Sequence, residues 1–176
     1  MHNDLTARML KLVLPEVKGK RVLDVGCGQG VAIEALKKHG FDDVLGTGIN
    51  RTDLDVCQGK GFNVIEHDMH EPLDGKTFDL IWARHVLEHS PIPLYVLRLF
   101  GEMLAPDGVL YVDVPMPETA CHHEANPNHY TVLTECGWGC LLLKAGFDVE
   151  NAHSMKFETG AGPDQYMGYV CRLEKD

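Results

Sequence analysis

The chain reads as an α/β protein: a mostly parallel sheet with helical crossovers, closed by an antiparallel pair of strands. Three features of the sequence predict this. Strand-like and helix-like patterns alternate from residue 21 to residue 145. An apolar strand over 21–25 runs straight into Gly26-Cys27-Gly28-Gln29-Gly30, with glycine at every second position. Two last strand patterns face each other across the turn-forming run Gly160-Ala161-Gly162-Pro163.

Each element has its own signal. Leu5, Met9, Leu12 and Val13 recur at helical spacing, so a lead-in helix is expected over 3–14, capped by Asn3 or Asp4 and closed by Pro15. The first strand is 21–25, and the helix former-rich run 31–39 stops at Gly40. A strand over 44–49, a helix over 52–60 closed by Gly61 and a strand over 62–66 follow. Residues 78–83, Phe-Asp-Leu-Ile-Trp-Ala, form the most continuously apolar segment and suit a central strand buried on both faces. A helix over 94–104, a turn at Ala105-Pro106-Asp107-Gly108 and a strand over 109–114 come next. The connection over 116–131 is unusually long, and structureless loops of that length usually carry function. A helix over 135–145 and strands over 148–157 and 166–173 complete the order.

A chain of 176 residues that is 44% hydrophobic can bury a proper core, so one domain over 1–176 is expected. Residues 1–16 mix charged and apolar side chains without an uninterrupted hydrophobic stretch, which reads as neither a signal peptide nor a membrane span and suggests the cytoplasm. A net charge of −10 repels phosphate backbones and anionic lipid surfaces, which argues against nucleic acid or a membrane as partner. The six cysteines are scattered and read as free thiols. Cys121, His122, His123, His129, Cys136 and Cys140 share one stretch that invites zinc. However, Cys136 and Cys140 stand four apart and no second paired motif answers them, so no metal is expected.

Alternating glycines after a strand let a small molecule lie against bare backbone. A dinucleotide fingerprint counted from Gly26 needs its third glycine at position 31, which is Val31; here it comes one step early, at Gly30. With Asp24 two residues before the first glycine, residues 22–30 resemble motif I of the class I S-adenosylmethionine-dependent methyltransferases. The order of elements resembles the same fold along the whole chain. The resemblance implies a three-layer Rossmann-like sandwich with a seven-stranded, mostly parallel sheet and a C-terminal antiparallel hairpin. Ligands would bind above the carboxyl ends of the first strands.

The resemblance also assigns residues. Gly26, Cys27, Gly28 and Gly30 would let the methionine part of the cofactor pack on the loop, and Asp24 would accept from its ammonium group; alternatively, or in addition, Asp24 holds the loop's own amides. The acid that takes both ribose hydroxyls at the end of the second strand falls on Gly48 in Gly48-Ile49-Asn50, so it is missing. Asn50 could take one hydroxyl with its amide oxygen, or Arg51 or Asp53 could serve in an altered geometry. Asp68 resembles the adenine-reading acid, with Met69 beside the ring.

Residues 82–89, Trp-Ala-Arg-His-Val-Leu-Glu-His, resemble the motif after the fourth strand in the small-molecule branch, that of methyltransferase types 11 and 12. Ala83 and Arg84 would lie near the methionine end of the cofactor and His85 would face the acceptor. The long connection would cover the acceptor and bring His129 to it. The implied function is S-adenosylmethionine-dependent methyl transfer to an oxygen, nitrogen or carbon of a small polar metabolite, yielding S-adenosylhomocysteine. His85 and His129 are the candidate proton acceptors. The alternative is a non-catalytic nucleoside-binding or partner-binding module on the same fold, favoured only by Gly48 at the place of the acid.

Overall fold

In the computed structural model, which describes residues 2–174 and the side chains of residues 5–174, seven strands form one sheet. They are β1 (Arg21–Val25), β2 (Asp43–Gly48), β3 (Val64–Glu66), β4 (Phe78–Arg84), β5 (Leu104–Pro115), β6 (Phe147–Thr159) and β7 (Gly162–Leu173). The order across the sheet is β3-β2-β1-β4-β5-β7-β6. Strands β1 to β5 pair in parallel, and β7 inserts antiparallel between β5 and β6. Five helices, α1 (His2–Val13), α2 (Val31–Lys38), α3 (Arg51–Gly59), α4 (Pro93–Met103) and α5 (Glu135–Lys144), cover the two faces.

The sequence builds this sandwich by alternation. Along β4, Leu80 and Trp82 point to the face covered by α1, α2 and α3, where they pack with Met9, Ile33 and Leu54. Ile81 and Ala83 point to the face covered by α4 and α5, against Val96, Phe100 and Trp138, and Phe78, before the register shift between Phe78 and Leu80, joins the same cluster. Trp82 stacks on Tyr111 of β5 with ring centroids 4.3 Å apart. Each fully buried large apolar side chain contributes roughly 1.5–3 kcal/mol. With β4 in the middle position, the expected central strand is in place.

Differences from the expected elements are local. Helix α1 already includes Asn3 and Asp4, so neither stands before it as a cap; their side chains lie outside the described residues. The third strand is confined to Val64–Glu66, because only those residues pair with β2. Residues 105–108 do not separate helix from strand. Leu104 already pairs with Phe78 and Val109 with Leu80, so the expected turn is a bulge inside β5 opposite Asp79. In the last hairpin, Thr159 pairs with Gly162, leaving Gly160 and Ala161 as the turn and moving Pro163 into β7.

The strand order reverses between β1 and β4, opening a crevice at their carboxyl ends. The loop after β1, the end of β2, the turn after β3 and the turn after β4 all converge there.

Candidate active site

The loop from β1 to α2 is braced so that its backbone faces the crevice. Cys27 N–H donates to Thr47 O at 2.8 Å and Gly30 N–H to Cys27 O at 2.9 Å. From the α3 side, the Cys57 thiol donates to Gly28 O at 3.2 Å and Lys60 to Gln29 O at 2.7 Å. Gly28 has φ +49°, and a Cβ added there would meet nothing within 4 Å, since it would project into a cavity of about 260 Å³. Gly30 behaves differently. Its φ is +81°, but an added Cβ would strike the Phe62 ring at 2.7 Å, and it lines no cavity at the crevice. It packs against Phe62 at the start of α2.

Asp24, on β1, is 3% exposed, and its Oδ2 has no hydrogen-bond partner among the described residues. The loop is held by the α3 brace, not by this carboxylate. Burial pushes the Asp24 carboxyl up to about 8 against the opposing pull of Arg84. Asp24 borders a second cavity of about 310 Å³, which shares Gly26 and His85 with the first. Cys27 lines it too, as does Arg84, which donates from Nε to Asp113 Oδ2 at 2.7 Å and from Nη1 to Thr6 Oγ1 at 2.7 Å. Ala83 does not reach the crevice, because strand alternation turns its side chain into the core beneath α4 and α5.

The far end of the first cavity is lined by Gly48, Ile49, Asn50, Asp53, Asp68 and Met69. Ile49 is 73% exposed and Met69 partly buried, an apolar pair at the cavity wall. The role offered to Asn50 meets an obstacle. Asn50 is the N-cap of α3, and its Oδ1 accepts from Thr52 N–H at 3.1 Å, so the amide oxygen is already engaged. Arg51 pairs with Asp55 and Glu66 and does not line the cavity. Asp53, one turn into α3, does line it; one oxygen accepts from Gln29 Nε2 at 3.0 Å. The Asp68 Oδ1 accepts from the backbone N–H of His70 at 3.0 Å and lies 2.7 Å from its ring Nδ1, which together hold the carboxyl below its ordinary value.

On the acceptor side, His85 sits at φ +53° with Nδ1 3.3 Å from Glu88 Oε1 and its ring edge-on to Tyr166 at 4.2 Å. It is part of both cavities. The connection after β5 is clamped across this turn: Tyr130 and Thr131 N–H both donate to Glu88 O, at 2.8 and 3.1 Å. The clamp brings His129 to His89 (ring centroids 5.0 Å apart), and His89 lines the first cavity. Burial, reinforced by the neighbouring His89 and His123, holds His129 below its ordinary value, and its Nδ1 is without a partner among the described residues. Among the described residues, two sets of side chains each bring their donor atoms within 4.8 Å of one another and could hold a metal ion: Glu88, His89 and His129, and Cys121, His123 and Asp164. Cys136 and Cys140 belong to neither; both are exposed on α5.

Thr6, Glu88 and Asp164 are given no role by the sequence alone. Thr6 and Asp164 come from opposite ends of the chain and only the fold brings them in. Asp53 did carry a signal: an acid in the first turn of a helix that starts at the crevice.

The fold is similar to those of solved methyltransferase structures. An S-adenosylmethionine-dependent methyltransferase from Archaeoglobus fulgidus superimposes with a TM-score of 0.73 at 22% identity, covering 97% of this chain and 94% of that one. The CcbJ methyltransferase from Streptomyces caelestis gives 0.79 at 14% identity over 97% and 90%. The Methyltransf_23 family model, described as a methyltransferase domain, matches residues 1–152. The chain therefore belongs to this family, within the class I S-adenosylmethionine-dependent methyltransferases. Among curated proteins it is similar to the ubiquinone biosynthesis O-methyltransferases of Aliivibrio fischeri, 33% identical over 101 residues, and Coxiella burnetii, 35% over 102. These alignments cover 53% and 54% of this chain and 43% of each relative, so the chain spans less than half the length of the curated relatives it matches. Among the described residues no helix is long and apolar enough to cross a membrane.

Proposed function

We propose that the chain transfers a methyl group from S-adenosylmethionine to a small polar acceptor, with oxygen the favoured atom among oxygen, nitrogen and carbon. The observation that carries this is the open space over Gly28 beside the buried Asp24, whose Oδ2 has no hydrogen-bond partner among the described residues. A ligand with a cationic amine at one end and an apolar ring system at the other fits that arrangement. Asp24 would hold the ammonium, Gly26 and Gly28 the adjoining chain, Asp53 the ribose, and Asp68 the adenine amine between Ile49 and Met69. The curated relatives' names support oxygen as the acceptor atom.

When bound, the cofactor supplies an electrophilic methyl group on a sulfonium. The protein's part is to align the nucleophile with it and exclude water. His85 stands where the two cavities meet, with Glu88 orienting its ring, and accepts the proton of an acceptor hydroxyl. His129, held below its ordinary value by burial, lies against His89, which lines the first cavity, and serves as a second proton acceptor. The β6–β7 hairpin contributes Tyr166 to the face of His85.

The test is calorimetric titration with S-adenosylhomocysteine, followed by transfer of labelled methyl to a panel of small hydroxylated acceptors. Wild type is expected to bind one equivalent and Asp68→Ala to bind at least tenfold more weakly. His85→Ala is expected to bind normally and to lose turnover with a hydroxyl acceptor. Binding without transfer to any acceptor class would favour the non-catalytic module; no binding would refute the proposal.

A further inference from the structure

We propose that Cys121, His123 and Asp164 form a divalent-cation site suited to zinc, which ties the connection after β5 to the β6–β7 hairpin. This stands apart from the methyl-transfer reading, since no cofactor-facing residue takes part. The thiol sulfur, an imidazole nitrogen and a carboxylate oxygen lie within 4.8 Å of one another. Zinc bonds of about 2.0–2.3 Å place tetrahedral donors roughly 3.3–3.8 Å apart, inside that spread.

The three donors are held as ligands are held. Asp164 is 3% exposed and fixed by the Gln165 N–H, which donates to its Oδ1 at 2.8 Å. Its oxygens lie 3.0 and 3.2 Å from His123 Nε2, the contact the two make when no ion stands between them. The His123 ring is fixed from the side by stacking on His129 at 5.6 Å. Cys121 reaches the group from a short segment in which Glu118 and His122 both adopt left-handed backbone, φ +60° and +47°. Those are conformations that non-glycine residues avoid unless the surroundings impose them. The Cys121 Sγ also lies 3.4 Å from Thr159 Oγ1 of the hairpin, which holds the thiol on this side.

The donor set selects the ion. Thiolate, imidazole and carboxylate together suit zinc, whereas magnesium and calcium require oxygen donors. Three protein donors leave a fourth position for water, and Asp164 also borders a cavity of about 540 Å³ along the hairpin. Binding of the ion to the Cys121 sulfur releases the thiol proton to solvent.

The test uses the full chain, untagged and stripped with a chelator, titrated with Co²⁺ alone and then with Zn²⁺. One equivalent of cobalt is expected to give a thiolate-to-cobalt charge-transfer band that zinc abolishes. Cys121→Ser should remove the band, and Asp164→Asn should weaken binding tenfold or more. Cys121→Ser is nearly isosteric at a partly exposed position, so it decides the matter if Asp164→Asn fails to fold. An absence of cobalt binding by folded wild type would overturn the proposal. So would binding without the thiolate band that is lost on His89→Ala, since that places the ion on Glu88, His89 and His129.

Discussion

At the scale of single residues, Asp24 concentrates the chemistry of the crevice. Its carboxyl is raised to about 8 by burial, so between about pH 4 and pH 8 the folded state keeps a proton that the unfolded state has lost. Its contribution to stability therefore falls as pH rises through that window and levels off above it. Thermal unfolding of Asp24→Asn is expected to lack this component, most visibly between pH 5 and pH 8; a pH dependence identical to wild type would contradict the assignment. On the proposed reading Asn50 caps α3 and Asp53 takes the ribose, two roles that the sequence could not separate. The Asn50 oxygen that suits a ribose hydroxyl also suits a helix cap, and in the structure it accepts from Thr52 N–H. Asn50→Ala is expected to cost about 1 kcal/mol in denaturant unfolding. Asp53→Ala is expected to weaken S-adenosylhomocysteine roughly 10- to 100-fold, the worth of hydrogen bonds to a charged group. Equal effects of both variants on binding would put Asn50 back at the ribose.

Among the elements, the glycine loop shows both how well and how incompletely a motif can be read. The strand 21–25 and the following turn were legible because strand, acid and glycines are contiguous in the chain. Spacing alone could not tell that Gly28 faces open space while Gly30 faces Phe62, since both adopt positive φ. Gly28→Ala carries only the left-handed penalty, about 1 kcal/mol, but puts a methyl group where the ligand lies; it should fold and bind poorly. Gly30→Ala adds the collision with Phe62 and should lose about 1–3 kcal/mol of stability, while the protein that remains folded binds. The reverse pattern, read by thermal unfolding and calorimetry on both variants, would show the loop oriented otherwise. The bulge at 105–108 was read as a turn because proline and glycine signal a chain reversal equally well when the strand resumes its course.

For the whole molecule, the alternation of strands and helices, with a buried β4 at the centre, was legible because it depends only on local periodicity. What stayed hidden depends on contacts between distant segments. Thr6 of α1 meets Arg84, Glu88 anchors Tyr130, and Asp164 of the hairpin meets His123. Each pair lies more than forty positions apart, and none leaves a periodic trace. The first two lie at the carboxyl end of β4, beside the point where the sheet order reverses, and the third joins the start of β7 to the connection after β5. A crystal structure of the chain with S-adenosylhomocysteine is the decisive measurement. The ligand's ammonium group is expected against Asp24, its chain over Gly26 and Gly28, and its adenine between Ile49 and Met69. Ligand density elsewhere, or a crevice that stays closed over Gly28 at saturating ligand, would contradict the binding mode from which the rest is built.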